Sequence, residues 1–253
     1  MLRRLLIAIA FLASPALAED VVLGLSQNKV SITTNFDGSE ILIFGAIKRE
    51  APVPQGPPLN VIVAVQGPSE PVVVRRKDKR YGIWVNTTSV EVDSAPSYYA
   101  VATSGTLRDA LRDTEDLRHK VSIPRAIRSV GAPMDVQDPQ SFTEAVIRIH
   151  KANGSYQLNE NSVELSEDTL FRTAVSMPAN LTEGKYITRI FLTRDGKVVS
   201  SYATAIDVRK VGLERWLYTL SRQQPLVYGL LSLAIAILAG WGASAIFTAI
   251  QRR

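Results

Sequence analysis

The chain has 253 residues, with 29 Lys and Arg against 24 Asp and Glu, and it contains no cysteine. The mild positive charge is spread along the chain, so it does not favour nucleic-acid binding, and the lack of thiols excludes disulfides, zinc–thiolate sites and cysteine nucleophiles. The fold must therefore be held by core burial, and the roughly 190 residues between the two apolar ends suffice for one large domain or two small ones.

Residues 1–18 predict a secretory signal peptide. Arg3 and Arg4 precede an apolar run from Leu5 to Leu12, and Ala16-Leu17-Ala18 has the small-x-small pattern of a signal-peptidase site. Because the run is too short to span a bilayer, we expect cleavage after Ala18; an uncleaved signal anchor is the alternative. Both interpretations export the body of the protein.

Residues 19–103 predict an immunoglobulin-like β-sandwich. Segments rich in β-branched residues alternate with turn signals such as Asp37-Gly38 and Gly67-Pro68. Seven short strands in about 80 residues is typical of this fold. The predicted strands are 29–34, 40–47, 59–66, 72–76, 81–85, 90–93 and 98–103.

Aromatic and basic residues stand out in this first stretch. We expect Trp84 and the Tyr98-Tyr99 pair to fill the sandwich core; a ligand-stacking role for Trp84 is the alternative. The basic run Arg75–Arg80 lies between two predicted strands, which indicates a solvated hairpin tip. A contact with an anion or a lipid headgroup is the functional alternative for this run.

Residues 104–154 predict a helical insert. Apolar residues at helical spacing from Leu107 to Val121 predict one helix, with Thr106 and Asp109 as its cap pair. Pro124 is typical of the start of a short second helix, which we expect to end at Gly131. A third helix is marked by Asp138 as its cap, Pro139 at its first position and Gly154 past its end.

Residues 155–209 predict a second, smaller β module. Asp195-Gly196 is the expected two-residue turn of its clearest hairpin. The segment Gly184-Lys185-Tyr186 resembles the tyrosine corner of β-sandwiches. The sequence leaves open whether the two β modules form one domain or two.

The C-terminal region predicts a membrane anchor. Residues 210–224 favour a juxtamembrane interfacial helix, and residues 225–250 form a transmembrane helix without a charged residue. Trp216, Tyr218 and Tyr228 are expected near the headgroups. Residues 251–253 would be a short cytoplasmic tail. The basic residues before the helix favour the opposite orientation by charge bias alone, but the signal peptide commits the N-terminus to export first.

Small residues recur at four-residue spacing along the predicted transmembrane helix. Small side chains let another helix approach closely, and close packing drives association where no hydrophobic effect operates. We therefore expect a helix-docking face for a polytopic membrane protein or a second copy of the chain; ordinary lipid-facing composition is the alternative. The expected face consists of Ser232, Ala236, Gly240 and Ser244.

Motifs for chemistry are few. His119 and His150 each lie beside a lysine on a predicted helix, and neither has a carboxylate in a metal-ligand pattern, so we expect both to be solvated surface residues. The sequence has no P-loop, no G-x-G-x-x-G and no G-x-S-x-G elbow. We predict no catalytic, cofactor-binding or metal-binding residue and no cofactor.

The stretch from Arg80 to Ser104 resembles a known family. Gly82-Ile83-Trp84, Asn86, Ala95-Pro96-Ser97 and Tyr99-Ala100 carry the resemblance, and the terminal helix fits in the same order. They are similar to the transmembrane protein family of alphaproteobacteria, Alph_Pro_TM, across nearly the whole chain. The resemblance implies no established activity, and it implies a sulfite-exporter-type permease as a possible neighbour in the membrane.

These features together predict a non-enzymatic accessory protein of the bacterial inner membrane. Its body would lie in the periplasm, its C-terminus in the cytoplasm, and its partners would be membrane lipid and a membrane protein. A tethered periplasmic ligand-binding or sensing module is the second interpretation, and an anchored hydrolase is the third.

Overall fold

The computed structural model describes residues 19–27, 29–33, 36–49, 56–131, 136, 138–211 and 213–251. The predicted signal peptide, residues 1–18, and residues 252–253 of the predicted tail lie outside this part of the chain. The chain divides into two compact units. Of the described residues, those up to Val30 and those between Phe36 and Val208 form unit 1, and those after Val30 but before Phe36, together with those from Arg209 onward, form unit 2.

The described residues are mainly β with a helical insert, as the sequence predicts. The strands are β1 (Glu19–Leu25), β2 (Lys29–Ile32), β3 (Ser39–Arg49), β4 (Leu59–Gln66), β5 (Ser69–Arg80), β6 (Ile83–Pro96), β7 (Tyr99–Thr103), β8 (Tyr156–Asn159), β9 (Glu164–Ser166), β10 (Leu170–Met177), β11 (Gly184–Arg194) and β12 (Lys197–Lys210). The helices are α1 (Leu107–Ala110), α2 (Asp113–His119), α3 (Ile123–Ala126), α4 (Gln140–Ala152), α5 (Leu213–Gln223) and α6 (Pro225–Gln251).

The strands form two sheets and one separate hairpin. A four-stranded sheet has the order β1-β3-β10-β9, and a six-stranded sheet has the order β2-β12-β11-β4-β7-β8. All of the described pairings are antiparallel except that of β7 with β8, which the helical insert connects as a crossover. The hairpin of β5 and β6 pairs only within itself among the described strands.

Pairing between distant strands answers the question of one domain or two. The neighbour of β4 is β11, with Val63 opposite Ile190, and the neighbour of β3 is β10, with Ile43 opposite Thr173. Strands from residues 19–103 and from residues 155–209 therefore share both sheets. The two predicted β modules are parts of one interleaved β structure, because the hydrophobic face of each is completed by strands of the other.

The core lies on both faces of the central strand β4. Its residues from Val61 to Val65 are at most 1% exposed, which is typical of a strand covered on both sides. On one face, Ile62 and Ala64 belong to a cluster that includes residues of the helical insert. Toward the four-stranded sheet, the Tyr98 hydroxyl donates to the Ser176 carbonyl at 2.8 Å.

The tyrosine corner has the expected contact. The Tyr186 hydroxyl donates to the Thr182 carbonyl at 2.8 Å, four residues upstream, at the point where β11 begins. Tyr186 is fully buried, and its ring lies 5.9 Å from that of Tyr98. This contact holds the entry of the strand against the core.

The first predicted helix of the insert is divided into two. Thr106 caps α1 by accepting from the Asp109 amide, as predicted, but the chain is extended at Leu111 and Arg112 before α2 begins. The Arg112 amide donates to the Gly196 carbonyl at 2.9 Å, and the Arg112 side chain pairs with Asp195. The helix breaks because this residue binds the β11–β12 turn instead of continuing the helical ladder.

The remaining helices of the insert are close to the predicted ones. Helix α3 has Pro124 in its first turn but ends at Ala126, five residues before the predicted end at Gly131. In α4, Asp138 accepts from the Ser141 amide at 3.3 Å, and Gly154 follows the end with a φ of +76°. Helix α4 begins at Gln140, one residue after the predicted first position, and a difference of this size is usual.

Candidate membrane anchor and exposed surfaces

The anchor in unit 2 consists of two consecutive helices separated at Gln224. The Gln224 amide donates to the Leu220 carbonyl at 2.9 Å, and the Tyr228 amide donates to the Gln224 carbonyl at 3.1 Å. Helical hydrogen bonds therefore continue on both sides of Pro225, which has no amide hydrogen to donate. The juxtamembrane helix α5 thus leads into α6 with the loss of little more than one hydrogen bond.

Helix α6 has the length and composition of a membrane span. Among the described residues, one helix meets both criteria, over Pro225–Ser244, and an 18-residue window of this span has a mean hydropathy of 2.0 and no burial within the structure. At 1.5 Å per residue these 20 residues extend about 30 Å, the thickness of the hydrocarbon core. Lipid is the environment that covers such a helix.

The predicted docking residues lie along one side of α6. Successive members of the row differ by four positions, or about 40° around the helix, so Ser232 to Ser244 covers about 120° of its circumference and roughly 18 Å of its length. All four residues are exposed, and nothing lies within 4 Å of a Cβ placed on Gly240. The row is therefore an uncovered shallow surface.

Two hydroxyl groups on the helix donate to carbonyls one turn earlier. Ser232 donates to the Tyr228 carbonyl at 2.9 Å, and Thr248 donates to the Ser244 carbonyl at 2.8 Å. These bonds reduce the cost of placing a hydroxyl in lipid. They also indicate that this face would associate through close packing more than through hydrogen bonds across helices.

The predicted interface aromatics are exposed. Trp216 is 53%, Tyr218 is 64% and Tyr228 is 39% exposed. The Arg222 guanidinium lies 5.7 Å from the centre of the Tyr218 ring, in a cation–π contact. An amphipathic aromatic ring beside a cation matches the chemistry of the headgroup region, and the position of these residues at the membrane interface stays a prediction.

Trp84 is not in the core, contrary to the prediction from the sequence. It is 68% exposed near the end of the β5–β6 hairpin, whereas Tyr98 and Tyr99 are buried as expected. The segments predicted as two strands, 81–85 and 90–93, are one long strand, and β5 continues through the basic run to Arg80. The hairpin therefore extends beyond the core, and Trp84 lies on the part that is outside it. The alternation of apolar and polar residues in the sequence does not show where a strand leaves the core.

An apolar groove, which the sequence did not predict, crosses the outer face of the four-stranded sheet. Neighbouring strands place Val22, Ala46 and Leu170 in one row, and Gly24, Phe44 and Arg172 in the next. The groove has a volume of about 700 Å³. A Cβ on Gly24 would lie 2.5 Å from the Phe44 ring, so this glycine is needed for the ring to lie across the sheet. The sequence signal for this groove was the presence of outward-facing apolar residues in β1 and β3.

Both histidines are half-buried rather than solvated. His119 lies 3.6 Å from Glu115 and 5.4 Å from the Phe191 ring centre, and the His150 ring stacks on Tyr156 at 4.5 Å. Burial lowers the pKa of His150 below its usual value. The two side chains contact different aromatic partners in the fold. Across the described ranges, no three His, Asp or Glu side chains come together in a way that could hold a metal ion.

Arg189 connects the six-stranded sheet to the helical insert. Its guanidinium donates to the His119 carbonyl at 2.7 Å, to the Lys120 carbonyl at 3.0 Å and to the Tyr99 hydroxyl at 3.0 Å. Tyr99 in turn donates to the Val121 carbonyl at 2.8 Å. Burial raises the pKa of Tyr99 to about 12, although the nearby Arg189 charge opposes the rise. These contacts satisfy the carbonyls at the end of α2, which is a structural role.

A mainly β body followed by one apolar helix defines a membrane-anchored protein with a single candidate span. The sequence model of the family described as "Putative transmembrane protein (Alph_Pro_TM)" matches residues 20–249. The chain belongs to this family. No curated protein matches the chain.

Proposed function

We propose that this chain is a non-enzymatic accessory protein of the bacterial inner membrane, with its body in the periplasm and α6 docked on a polytopic membrane protein. The observation that carries the proposal is the row of small residues on an exposed, charge-free helix. A helix that only tethers a domain needs no such row. For a helix that contacts only lipid, bulky apolar side chains would serve equally well.

A permease is the partner that the resemblance to Alph_Pro_TM favours, because the family's apparent neighbours are sulfite-exporter-type permeases. A polytopic protein offers many helices against which a shallow face can pack. A second copy of the chain could use the same face, and the test below distinguishes the two.

The test compares two glycines of α6. Gly240→Leu places a bulky side chain within the row, whereas Gly242→Leu makes the same change about 160° away around the helix. Neither glycine has an atom within 4 Å of a Cβ placed on it, so both variants should insert. Full-length tagged chains are purified in mild detergent, and the copurifying proteins are identified by mass spectrometry.

We expect G240L to lose a polytopic protein that the unchanged chain and G242L both retain. If a second copy is the partner, G240L abolishes a homodimer instead. Equal recovery from G240L and G242L would contradict docking through this row.

A tethered ligand-binding module is the second candidate function, and the sheet groove favours it. Val22 and Leu170 are each 57% exposed and Phe44 is 44% exposed. These side chains have no role in the core, so core packing does not explain why they are apolar. A groove lined in this way suits an apolar ligand.

Its test is mass spectrometry of organic extracts from the purified full-length chain. Phe44→Asp should remove a copurifying apolar molecule, whereas Val73→Asp, at an exposed valine of the β5–β6 hairpin, should retain it. Identical extracts from the two variants would contradict a ligand in the groove.

A further inference from the structure

The hairpin of β5 and β6 is a ribbon of which only the base belongs to the core. Val90 and Val92 are buried, and Val72 and Val74 pack on the core partly buried. The Arg76 guanidinium lies 4.7 Å from the centre of the Phe142 ring and donates a hydrogen bond to the Ser141 hydroxyl. These two contacts fix the ribbon against α4. Six residues separate Val74 from the turn at Tyr81 and Gly82, so the ribbon projects roughly 20 Å beyond its base.

Apolar side chains are concentrated at the end of this ribbon. Tyr81 is 104%, Ile83 is 64% and Trp84 is 68% exposed. Tyr81 and Gly82 both have positive φ, of 50° and 85°, so a tyrosine occupies a turn position where glycine or asparagine is usual. Two strands alone cannot bury such residues, because a hairpin has no third strand or helix to pack on. Exposed apolar clusters of this kind indicate an interaction site.

Positive charge surrounds these apolar residues. The run Arg75–Arg80 contains five basic residues and one acid, Asp78, whose side chain accepts from the Lys79 amide at 2.8 Å. Within the described part of the chain, no carboxylate forms an ion pair with Lys77, Lys79 or Arg80. The end of the ribbon therefore has a net positive charge directly beside aromatic and aliphatic groups.

We propose that the ribbon tip, defined as residues 77–84, binds the surface of a bilayer that contains anionic phospholipid. Tyr81, Ile83 and Trp84 enter the headgroup region, and Lys79 and Arg80 contact lipid phosphates. Aromatic residues favour this region, and a nearby anionic surface strengthens binding about fivefold for each Lys or Arg. Because α6 holds the chain at a membrane, the tip meets headgroups at a high effective concentration.

The size of the tip favours lipid over a protein partner. Two aromatic side chains and one isoleucine supply about 500 Å² of surface, less than the roughly 800 Å² that each side of a stable protein interface buries. Lipid headgroups adapt to a narrow ribbon end and need no matching shape. The proposal rests on the anchoring of the chain and is independent of which protein, if any, contacts α6.

The absence of cysteine makes a site-specific probe possible. The full-length variants Ile83→Cys and Val73→Cys each carry one environment-sensitive fluorophore, and they are reconstituted in nanodiscs with or without about 30% phosphatidylglycerol. Val73 is a matched control because it is 56% exposed on the same hairpin near its base. Thermal unfolding of both labelled chains shows that they are folded.

We expect the label at position 83 to shift to shorter wavelength and to be quenched by doxyl lipids only with the anionic lipid, while the label at position 73 stays in water. Adding Lys79→Glu and Arg80→Glu should lower the inserted fraction at least tenfold, and so should high salt. A label at position 83 that stays in water in both lipids would overturn the proposal. A benzophenone probe at position 83 that forms mainly protein adducts in native membranes would also overturn it, since the tip would then bind a protein.

Discussion

At the scale of single residues, Trp84 and Tyr98 have opposite surroundings although the sequence predicts both to be buried. Tyr98 is 1% exposed and donates its hydroxyl to Ser176, whereas Trp84 is 68% exposed. We expect Tyr98→Ala to lower the free energy of unfolding by about 3–5 kcal/mol and Trp84→Ala to change it by less than about 0.5 kcal/mol. Chemical denaturation of the two variants measures the difference. A large loss of unfolding free energy for Trp84→Ala would contradict the exposed position of this side chain.

Four buried tyrosines give a second prediction at this scale. Burial raises the pKa of Tyr98, Tyr99, Tyr156 and Tyr186, and that of Tyr99 reaches about 12. Because the folded pKa lies above the unfolded value of about 10, the stabilisation is complete below pH 10 and is lost as the pH rises through about 12. In an absorbance titration at 295 nm, these four of the eight tyrosines should ionise only as the fold is lost. Ionisation of all eight in one reversible step near pH 10 would contradict their burial.

At the scale of elements, the contact between the insert and the β11–β12 turn can be tested with two glycines. Gly196 and Gly154 have φ of +70° and +76°, so alanine is strained at both positions by about 1 kcal/mol. A Cβ on Gly196 would also lie 2.6 Å from the Cγ of Arg112, whereas nothing lies within 4 Å of one on Gly154. We therefore expect Gly196→Ala to lower the free energy of unfolding by about 1–2 kcal/mol more than Gly154→Ala. Equal losses would show that the insert does not hold this turn.

Element types were predictable where local signals decide them, and not where distant contacts do. Asp195-Gly196 defines its hairpin locally, and Asp138 with Pro139 marks the start of α4. The break after α1 depends on a hydrogen bond from Arg112 to Gly196, which lies far along the chain. The sheet groove likewise needs β1, β3 and β10 side by side. Neither contact has a local sequence pattern.

At the scale of the whole molecule, the proposed orientation is open to a direct test. We expect alkaline phosphatase fused after residue 210 to be active, since this enzyme folds in the periplasm. Green fluorescent protein fused after residue 253 should fluoresce, since it folds in the cytoplasm. The reverse pair of results would mean that the basic residues before α6, and not the predicted signal peptide, determine the orientation.

The row of small residues was predictable as a pattern because the helix period alone brings its residues to one side of α6. Its use depends on a partner, which one sequence does not contain. The same distinction applies to the anchor itself. Length and hydropathy determine that α6 can span a bilayer, whereas what it packs against there depends on a second molecule.

The most direct test of docking through α6 is photo-crosslinking along the helix in native membranes. Single cysteines that carry benzophenone are introduced into the full-length chain at alternate positions from 232 to 244. We predict protein adducts at Ser232→Cys, Ala236→Cys, Gly240→Cys and Ser244→Cys, with few at the intervening positions 234, 238 and 242. Adducts of equal yield at all seven positions, or lipid adducts alone, would contradict the account.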